Sequence, residues 1–118
     1  FTYVEDVVEG IIRVMKKPQT KVTPAEAEAQ GRETTAPYKI YNIGNHSPVT
    51  LMDFIATIEQ ALGKTARKNM MPMQPGDVPA TYADVQSLMD DVGFKPKTPL
   101  SVGIQKFVDW YKDYYAIA

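Results

Sequence analysis

The sequence predicts an α/β fold with few strands and four main helices. Two observations lead to this prediction. Apolar residues recur at helical spacing in four separate stretches, and two short β-rich runs lie among them. The predicted order is helix, strand, helix, strand, helix, helix, without an internal repeat or a heptad run. So little sheet suggests that part of the fold lies outside this chain.

The first helix is predicted within residues 1–17. Thr2 and Glu5 have the spacing of a capping box, and Pro18 is expected to end the helix. The apolar stripe is made by Val4, Val7, Val8, Ile11, Ile12, Val14 and Met15. The following segment, 18–37, has no sustained period, so we expect a long, mobile surface loop with a short helical turn at Pro24–Gln30.

A strand is predicted at Tyr38–Ile43 because this run is β-rich and ends at a glycine. The second helix, residues 50–62, has Thr50 as its expected N-cap and Gly63 where a left-handed C-cap belongs. A second strand is predicted at Thr65–Met71.

The last third of the chain predicts two more helices. Asp84 is expected to cap a short helix that ends at Gly93, and the final helix is predicted from Ser101 to Tyr115. Its aromatic residues Trp110, Tyr111, Tyr114 and Tyr115 resemble a stacking platform, but without a basic groove core packing is the favoured interpretation.

The bulk composition is that of a globular protein. The chain has 118 residues, of which 44% are hydrophobic and 23% charged, with a formal net charge of −1. This charge gives no general attraction to nucleic acid or to an anionic membrane, and no apolar run approaches the ~20 residues of a membrane span. The absence of cysteine fits a reducing compartment, so we expect a cytoplasmic protein. Because the chain opens on Phe1 rather than Met, we expect it to be a fragment of a longer protein.

The sequence lacks the usual residues for catalysis, cofactor binding or metal binding. Its closest glycines are Gly93 and Gly103, so no phosphate-cradling glycine loop is present. No tyrosine is followed four residues later by lysine. His46 is the only histidine and is best interpreted as a solvated loop residue, so neither a histidine metal site nor a Ser-His-Asp arrangement is expected.

The loop at residues 72–84 carries the candidate binding residues. Its prolines and glycine predict a fixed loop that bears an amide, a carboxylate and a hydroxyl. Asp77 has two equally weighted interpretations, as the cap of a turn or as the acceptor of two ribose hydroxyls. Gln74 can both donate and accept, as a sugar or phosphate ligand requires.

Four segments together resemble one family. Phe-Thr-Tyr-Val-Glu-Asp-Val-Val at 1–8, Tyr-Asn-Ile-Gly-Asn at 41–45, Pro-Met-Gln-Pro-Gly-Asp-Val-Pro-Ala-Thr-Tyr-Ala-Asp at 72–84 and Phe-Val-Asp-Trp-Tyr at 107–111 resemble extended short-chain dehydrogenase/reductase enzymes. The 72–84 segment is most similar to the UDP-glucuronate 4-epimerase branch. The resemblance runs in order from Phe1 to about Tyr115.

The resemblance implies that residues 1–118 are the carboxy-terminal, substrate-binding part of an extended Rossmann-type epimerase. The missing amino-terminal part would bind NAD, which takes hydride from the sugar C4 and returns it to the other face. The Tyr-x-x-x-Lys acid–base pair and the glycine fingerprint would also lie there. The whole enzyme would interconvert UDP-glucuronate and UDP-galacturonate in polysaccharide biosynthesis, as a homodimer.

The resemblance also implies roles for three residues. In related UDP-galactose epimerases an Arg aligns with Gln74 and an Asp with Asp77, both in a loop that binds UDP. The loss of the Arg implies a weaker charge contact with the phosphates. The position that aligns with Thr81 lies near the sugar, where a small side chain leaves room for a bulky substituent.

Two alternatives remain open at this point. One is a nucleotide-sugar dehydratase or decarboxylase on the same scaffold, and the other is a non-enzymatic α/β interaction module. In the family, helix 1–17 and the strand Tyr38–Ile43 pack with the Rossmann sheet. We therefore expect the isolated chain to be inactive, to expose apolar surface and to self-associate.

Overall fold

The computed structural model describes residues 1–78 and 80–117; Pro79, within the predicted loop 72–84, and Ala118 lie outside the described residues. Five helices form: α1 Val4–Met15, α2 Pro24–Ala29, α3 Leu51–Leu62, α4 Gln86–Val92 and α5 Leu100–Tyr114. In the packing of these elements, α3 lies against α5, and α1 against α4. The four predicted main helices are all present, and the predicted helical turn forms α2.

Local sequence signals set several helix ends as predicted. The Thr50 hydroxyl accepts a hydrogen bond from the Asp53 amide (3.1 Å), so Thr50 is the N-cap of α3. Gly63 ends α3 in the left-handed region at φ 65°, a conformation that costs glycine little. A capping box of Thr23 and Glu26, which was not predicted, begins α2.

Two predicted caps differ in the structure. The N-cap of α1 is Tyr3, and no capping box of Thr2 and Glu5 forms. The Thr2 hydroxyl instead accepts from the Asn45 amide at 2.9 Å, because the 41–45 segment lies beside it. The N-cap position of α4 is Val85, one residue after the predicted cap Asp84. The Asp84 carboxylate nevertheless accepts a hydrogen bond from the Gln86 backbone amide at 3.0 Å.

The two predicted strands are not confirmed, since no strand forms within the residues that the structure describes. A β-strand requires a neighbour that completes the ladder of backbone hydrogen bonds, and the side-chain preferences of Tyr38–Ile43 and Thr65–Met71 cannot supply one. The α/β prediction is therefore correct only for the helices of this chain. Side-chain contacts, described below, hold part of the first segment in place.

The hydrophobic core is thin. The radius of gyration is 19.3 Å, whereas a compact domain of this length has about 13 to 14 Å. The buried hydrophobic side chains are few: Ala27, Val85, Leu88 and Val108. The apolar stripe of α1 remains exposed, with Met15 73% accessible. The exposed apolar surface expected from the sequence is thus present.

The aromatic residues of α5 correct another prediction. Trp110 is 53% exposed and does not lie in a core. Instead it stacks on Tyr114 with ring centroids 5.3 Å apart, while Tyr111 and Tyr115 pair at 4.7 Å. The spacing of four residues brings each pair of rings together along the helix surface.

Polar contacts join the amino-terminal helix to the second half of the chain. The Asp6 carboxylate accepts from the backbone amides of Lys97 (3.1 Å) and Thr98 (2.8 Å). Gly10 allows α1 to pack closely against Ile43, because a Cβ at position 10 would lie only 3.3 Å from the Ile43 side chain.

None of the helices described for residues 1–78 and 80–117 is long and apolar enough to cross a membrane.

Candidate functional site

The loop predicted to bind substrate contains a tight turn at residues 74–77. The Asp77 amide donates to the Gln74 carbonyl at 3.2 Å, and Gly76 has φ 89°. Pro75 followed by a glycine with positive φ is the pattern of a type II turn. The turn therefore places the side chains of Gln74 and Asp77 at its two ends, and both are exposed.

The side chain of Asp77 makes a local contact in the loop. Its Oδ1 accepts a hydrogen bond from the Val78 amide at 3.1 Å. One oxygen of an ionised carboxylate can accept more than one hydrogen bond, and Oδ2 offers further sites. The contact is thus compatible with both interpretations of Asp77.

Thr81 lies in a polar cleft of about 500 Å³. One wall is the 41–45 segment and the other is residues 81–84, and Phe1 and Thr2 also line the cleft. The hydrogen-bonding side chains that line it include Thr2, Tyr41, Asn42, Asn45, Thr81 and Asp84. Hydroxyls, amides and a carboxylate of this kind are suited to a polyhydroxylated ligand.

The two walls of the cleft come into close contact at Gly44. This residue is buried, and a Cβ added to it would lie 2.7 Å from the Ala83 Cβ. Such a distance is far inside the normal contact distance of two carbon atoms. Glycine at position 44 is therefore what permits this close approach of the two walls.

A polar network holds the 41–45 wall from behind. The Tyr41 hydroxyl donates to Asp91 Oδ2 (2.5 Å) and accepts from Gln19 Nε2 (3.0 Å). Lys39 Nζ forms an ion pair with the same Asp91 oxygen at 2.6 Å, and Lys17 Nζ donates to the Asp91 carbonyl. Residues 17–19 and residues 39–41 thus converge on the end of α4.

The network also fixes the protonation state of its members. Burial, the hydrogen bond to Asp91 and the charge of that carboxylate together raise the pKa of Tyr41 to about 12. Hydrogen bonds from Lys39 and Tyr41 hold the pKa of Asp91 below its usual value. Tyr41 therefore stays protonated and Asp91 ionised at neutral pH, so Tyr41 is not poised to act as a base.

The structure brings the predicted site residues together only in part. Gln74 and Asp77 share a turn, whereas Thr81 lines the cleft. Neither Gln74 nor Asp77 is among the described residues that line the cleft. Sequence reasoning missed Thr2 and Asn45, which line the cleft and bond to each other. Their signal was weak, since one was interpreted as a helix cap and the other as turn chemistry.

The described residues do not fit NAD or a metal ion. The glycines with positive φ, at positions 31, 63, 76 and 93, are isolated, and none belongs to a glycine-rich turn that opens a helix. No group of three or more potential metal ligands is present among residues 1–78 and 80–117. His46 is exposed, as expected of a loop residue.

Comparisons with known proteins identify relatives that extend over nearly the whole chain. Protein CapI of Staphylococcus aureus is 54% identical over 116 residues, which are 98% of this chain and 35% of that protein. A probable UDP-glucuronate 4-epimerase of Rhizobium meliloti is 41% identical over 118 residues, covering 98% of this chain and 34% of that protein. No family model matches the chain.

A solved structure agrees with the sequence relatives. The UDP-glucuronic acid 4-epimerase of Bacillus cereus, in complex with UDP-glucuronic acid and NAD, matches 98% of this chain and 32% of its own chain, with a TM-score of 0.70 and 25% identity. The fold is thus that of part of a Rossmann-type nucleotide-sugar epimerase. The resemblance to the UDP-glucuronate 4-epimerases is confirmed, and the chain spans about a third of the length of the first curated relatives it matches.

Proposed function

We propose that this chain is the UDP-binding part of an NAD-dependent UDP-sugar 4-epimerase that interconverts UDP-glucuronate and UDP-galacturonate. The observation that carries the proposal is the 41% identity, over 98% of this chain, to a probable UDP-glucuronate 4-epimerase. A polar cleft beside Thr81 and an exposed turn bearing Gln74 and Asp77 support it. NAD would be bound by a part of the enzyme outside this chain.

The contribution of this chain to the reaction is to hold the part of the substrate that does not react. A sugar that must turn over between two hydride transfers cannot be gripped tightly, so most of the affinity must come from the nucleotide. Asp77 would accept hydroxyls of the ribose, and Gln74 would donate to the diphosphate. Thr81 would leave space for the sugar carboxylate while it changes orientation.

The proposal is tested in the full-length protein by titration with UDP and by turnover of UDP-glucuronate. Asp77→Ala should weaken UDP binding by about 1–3 kcal/mol, because a hydrogen bond to a charged group is lost. Asp113→Ala is the matched control, since Asp113 is exposed on α5 and far along the chain from the loop. Equal UDP affinity in wild type and Asp77→Ala would reject the assignment of Asp77.

Product analysis separates the proposed activity from its alternatives. Formation of UDP-galacturonate identifies the epimerase, whereas loss of water or carbon dioxide identifies a dehydratase or decarboxylase on the same scaffold. A full-length protein that binds no UDP would contradict all of these enzymes and favour an interaction module. The isolated chain should show no turnover even with added NAD, because the described residues offer no dinucleotide loop. A cytoplasmic location, a homodimeric parent, self-association of the chain and a role in polysaccharide biosynthesis stay predictions.

A further inference from the structure

Helix α1 has two faces with different surroundings. Asp6, Gly10 and Arg13 follow one another at intervals of four and three residues, so they lie on one side of the helix. This side contacts the second half of the chain, and Gly10 is buried. The opposite side carries the exposed apolar stripe, which is made by Val4, Val8, Ile11, Ile12 and Met15. One face of α1 is therefore packed within this chain, whereas the described residues leave the other face exposed.

Asp6 contributes two charge-assisted hydrogen bonds to the packed face. Its Oδ2 accepts from the backbone amides of Lys97 (3.1 Å) and Thr98 (2.8 Å). These amides lie just before α5, whose own N-cap, Pro99, makes no side-chain hydrogen bond. Hydrogen bonds to an ionised carboxylate are about twice as strong as neutral ones. Asp6 thus ties the first turn of α1 to the segment that leads into α5.

Two further contacts continue along the same segment. The Arg13 guanidinium lies over the Phe94 ring, 4.9 Å from its centroid, and a Cβ added at Gly10 would lie 3.4 Å from the same ring. Pro96, in the middle of residues 94–98, is fully buried. The 94–98 segment therefore lies along the packed face of α1 from the first turn of the helix to the last.

The 94–98 segment is connected to the turn that is proposed to bind UDP. It leads into α5, which packs against α3. On α3, Glu59 accepts a hydrogen bond from the Ala66 amide at 2.7 Å, in the segment that continues to the turn at 74–77. The position of this turn relative to α1 therefore depends in part on how firmly α1 is attached to residues 94–98.

We propose that Asp6 is a positioning residue, which fixes the UDP-binding turn relative to the part of the enzyme that lies outside this chain. The chain covers 35% and 34% of two relatives, and the exposed stripe of α1 is an apolar surface that their remaining length can bury. The resemblance likewise implies that helix 1–17 packs with the Rossmann sheet. Helix α1 would then contact both parts of the enzyme, and Asp6 would hold it to the part that binds UDP. This inference rests on the proposed function, because it assigns the turn at 74–77 to UDP.

The geometry predicts an effect on turnover and not on nucleotide affinity. The residues proposed to bind UDP, Gln74 and Asp77, lie on an exposed turn whose closing hydrogen bond does not involve α1. Hydride transfer at the sugar C4, in contrast, requires reacting atoms about 3–3.5 Å apart, and a displacement of about 1 Å can cost about a hundredfold in rate. A looser attachment of α1 would allow such a displacement between the two parts of the enzyme.

The test compares two carboxylates of α1 in the full-length protein. Asp6→Ala removes both hydrogen bonds to residues 97–98. Glu9→Ala is the matched control, because Glu9 pairs with Arg13 within the helix at 2.5 Å. Asp6→Ala should lower kcat for UDP-glucuronate by about tenfold and leave the Kd of UDP within about twofold of wild type, since the other contacts of the packed face remain. Glu9→Ala should change neither kcat nor Kd.

Asp6→Asn grades the effect. Its amide oxygen can still accept from the two backbone amides but carries no charge, so kcat should lie between the values of wild type and Asp6→Ala. An unchanged kcat in Asp6→Ala would overturn the proposal. Equal losses of kcat and UDP affinity in Asp6→Ala would show a general loss of structure and would overturn it as well.

Failure of the proposed function gives a different result. If the wild-type protein binds no UDP, the epimerase assignment fails, and amide hydrogen exchange then tests the attachment of α1 by itself. Faster exchange of the Lys97 and Thr98 amides and of α1 in Asp6→Ala than in Glu9→Ala would support the attachment. Equal exchange in the two variants would contradict it.

Discussion

The two sides of the candidate site differ in how they are held. The 41–45 wall is fixed by the buried Gly44, by the hydrogen bond that the Thr2 hydroxyl accepts from the Asn45 backbone amide, and by the charged network around Asp91. The turn at 74–77 is exposed and is closed by the backbone hydrogen bond from Asp77 to Gln74. The first is therefore coupled to the packing of three other segments, whereas the second presents side chains that local geometry alone orients.

The comparison teaches that stability and binding can be separated in this molecule. A substitution in the fixed wall should change the free energy of unfolding as well as the ligand affinity. A substitution in the exposed turn should change affinity alone, since surface substitutions usually alter stability by no more than about 0.5 kcal/mol. The following expected outcomes sharpen or break this distinction, from the largest effect to the smallest.

Gly44→Ala should be the most damaging change. The new methyl group would lie 2.7 Å from the Ala83 Cβ, and overpacking of this kind costs about 1–3 kcal/mol. This cost exceeds the gain of about 0.4–1 kcal/mol that alanine gives by restricting the unfolded chain. Urea denaturation of the full-length protein measures the loss. Ala83→Gly in the same molecule should restore stability, and a double variant as unstable as Gly44→Ala would show that the clash is not the cause.

Thr81→Tyr should affect turnover more than nucleotide binding. The larger side chain would fill the cleft beside the sugar, so kcat/KM for UDP-glucuronate should fall about tenfold or more, or roughly 1.4 kcal/mol of transition-state stabilisation. UDP affinity should remain within about twofold, because the nucleotide is held elsewhere. Steady-state kinetics and UDP titration of the full-length enzyme make the comparison. Thr81→Ser serves as the control for the lost methyl group, and kinetics equal to wild type would remove Thr81 from the site.

Gln74→Arg should strengthen UDP binding without a change in stability. A guanidinium at the exposed end of the turn can form charge-assisted hydrogen bonds to a diphosphate, which gives a gain of about 1 kcal/mol, or roughly fivefold in Kd. The gain should shrink as salt is added, because exposed charges are screened. Gln60→Arg on α3 is the control for added charge away from the turn. Tighter UDP binding in both variants would show that the added positive charge acts through long-range electrostatic attraction and not through a local contact at the turn.

Alkaline pH should weaken the fixed wall slightly. The pKa of Tyr41 is raised from 10.0 to about 12 by burial first and then by Asp91, so the folded state favours the protonated hydroxyl. This contribution to stability is complete below pH 10 and is lost as the pH rises towards 12. Lys39 and Lys17 also contact Asp91, so the measurement is the difference between wild type and Tyr41→Phe. Parallel stability curves from pH 9 to 12 would show that Tyr41 contributes nothing.

Sequence reasoning succeeded where a structure depends on neighbouring residues. The N-cap Thr50, the left-handed Gly63 and the helical turn that became α2 all follow from contacts within a few positions. It failed at Tyr38–Ile43, because a strand depends on a distant partner. The predicted core packing of the α5 aromatic residues was wrong for a related reason. An apolar stripe shows which side chains favour burial, but it does not show which other segment buries them.

The candidate site shows the same division. Gln74 and Asp77 were predicted from the composition of the loop and from the resemblance, and the turn that joins them follows from Pro75 and Gly76. Their roles as ligands stay predictions. Thr2 and Asn45 could not be paired from the sequence, because 43 positions separate them. Their hydrogen bond exists only after α1 and the 41–45 segment have packed together.

The sequence by itself determined the helices, the two caps of α3, the tight turn and the family. These properties rest on local backbone preferences and on the order of short motifs, both of which are visible along the chain. Tertiary structure alone decided that Tyr41, Lys39 and Lys17 would meet Asp91, and that Gly44 would touch Ala83. Such contacts arise when distant segments fold against each other, and no spacing in the sequence specifies the distance between their atoms.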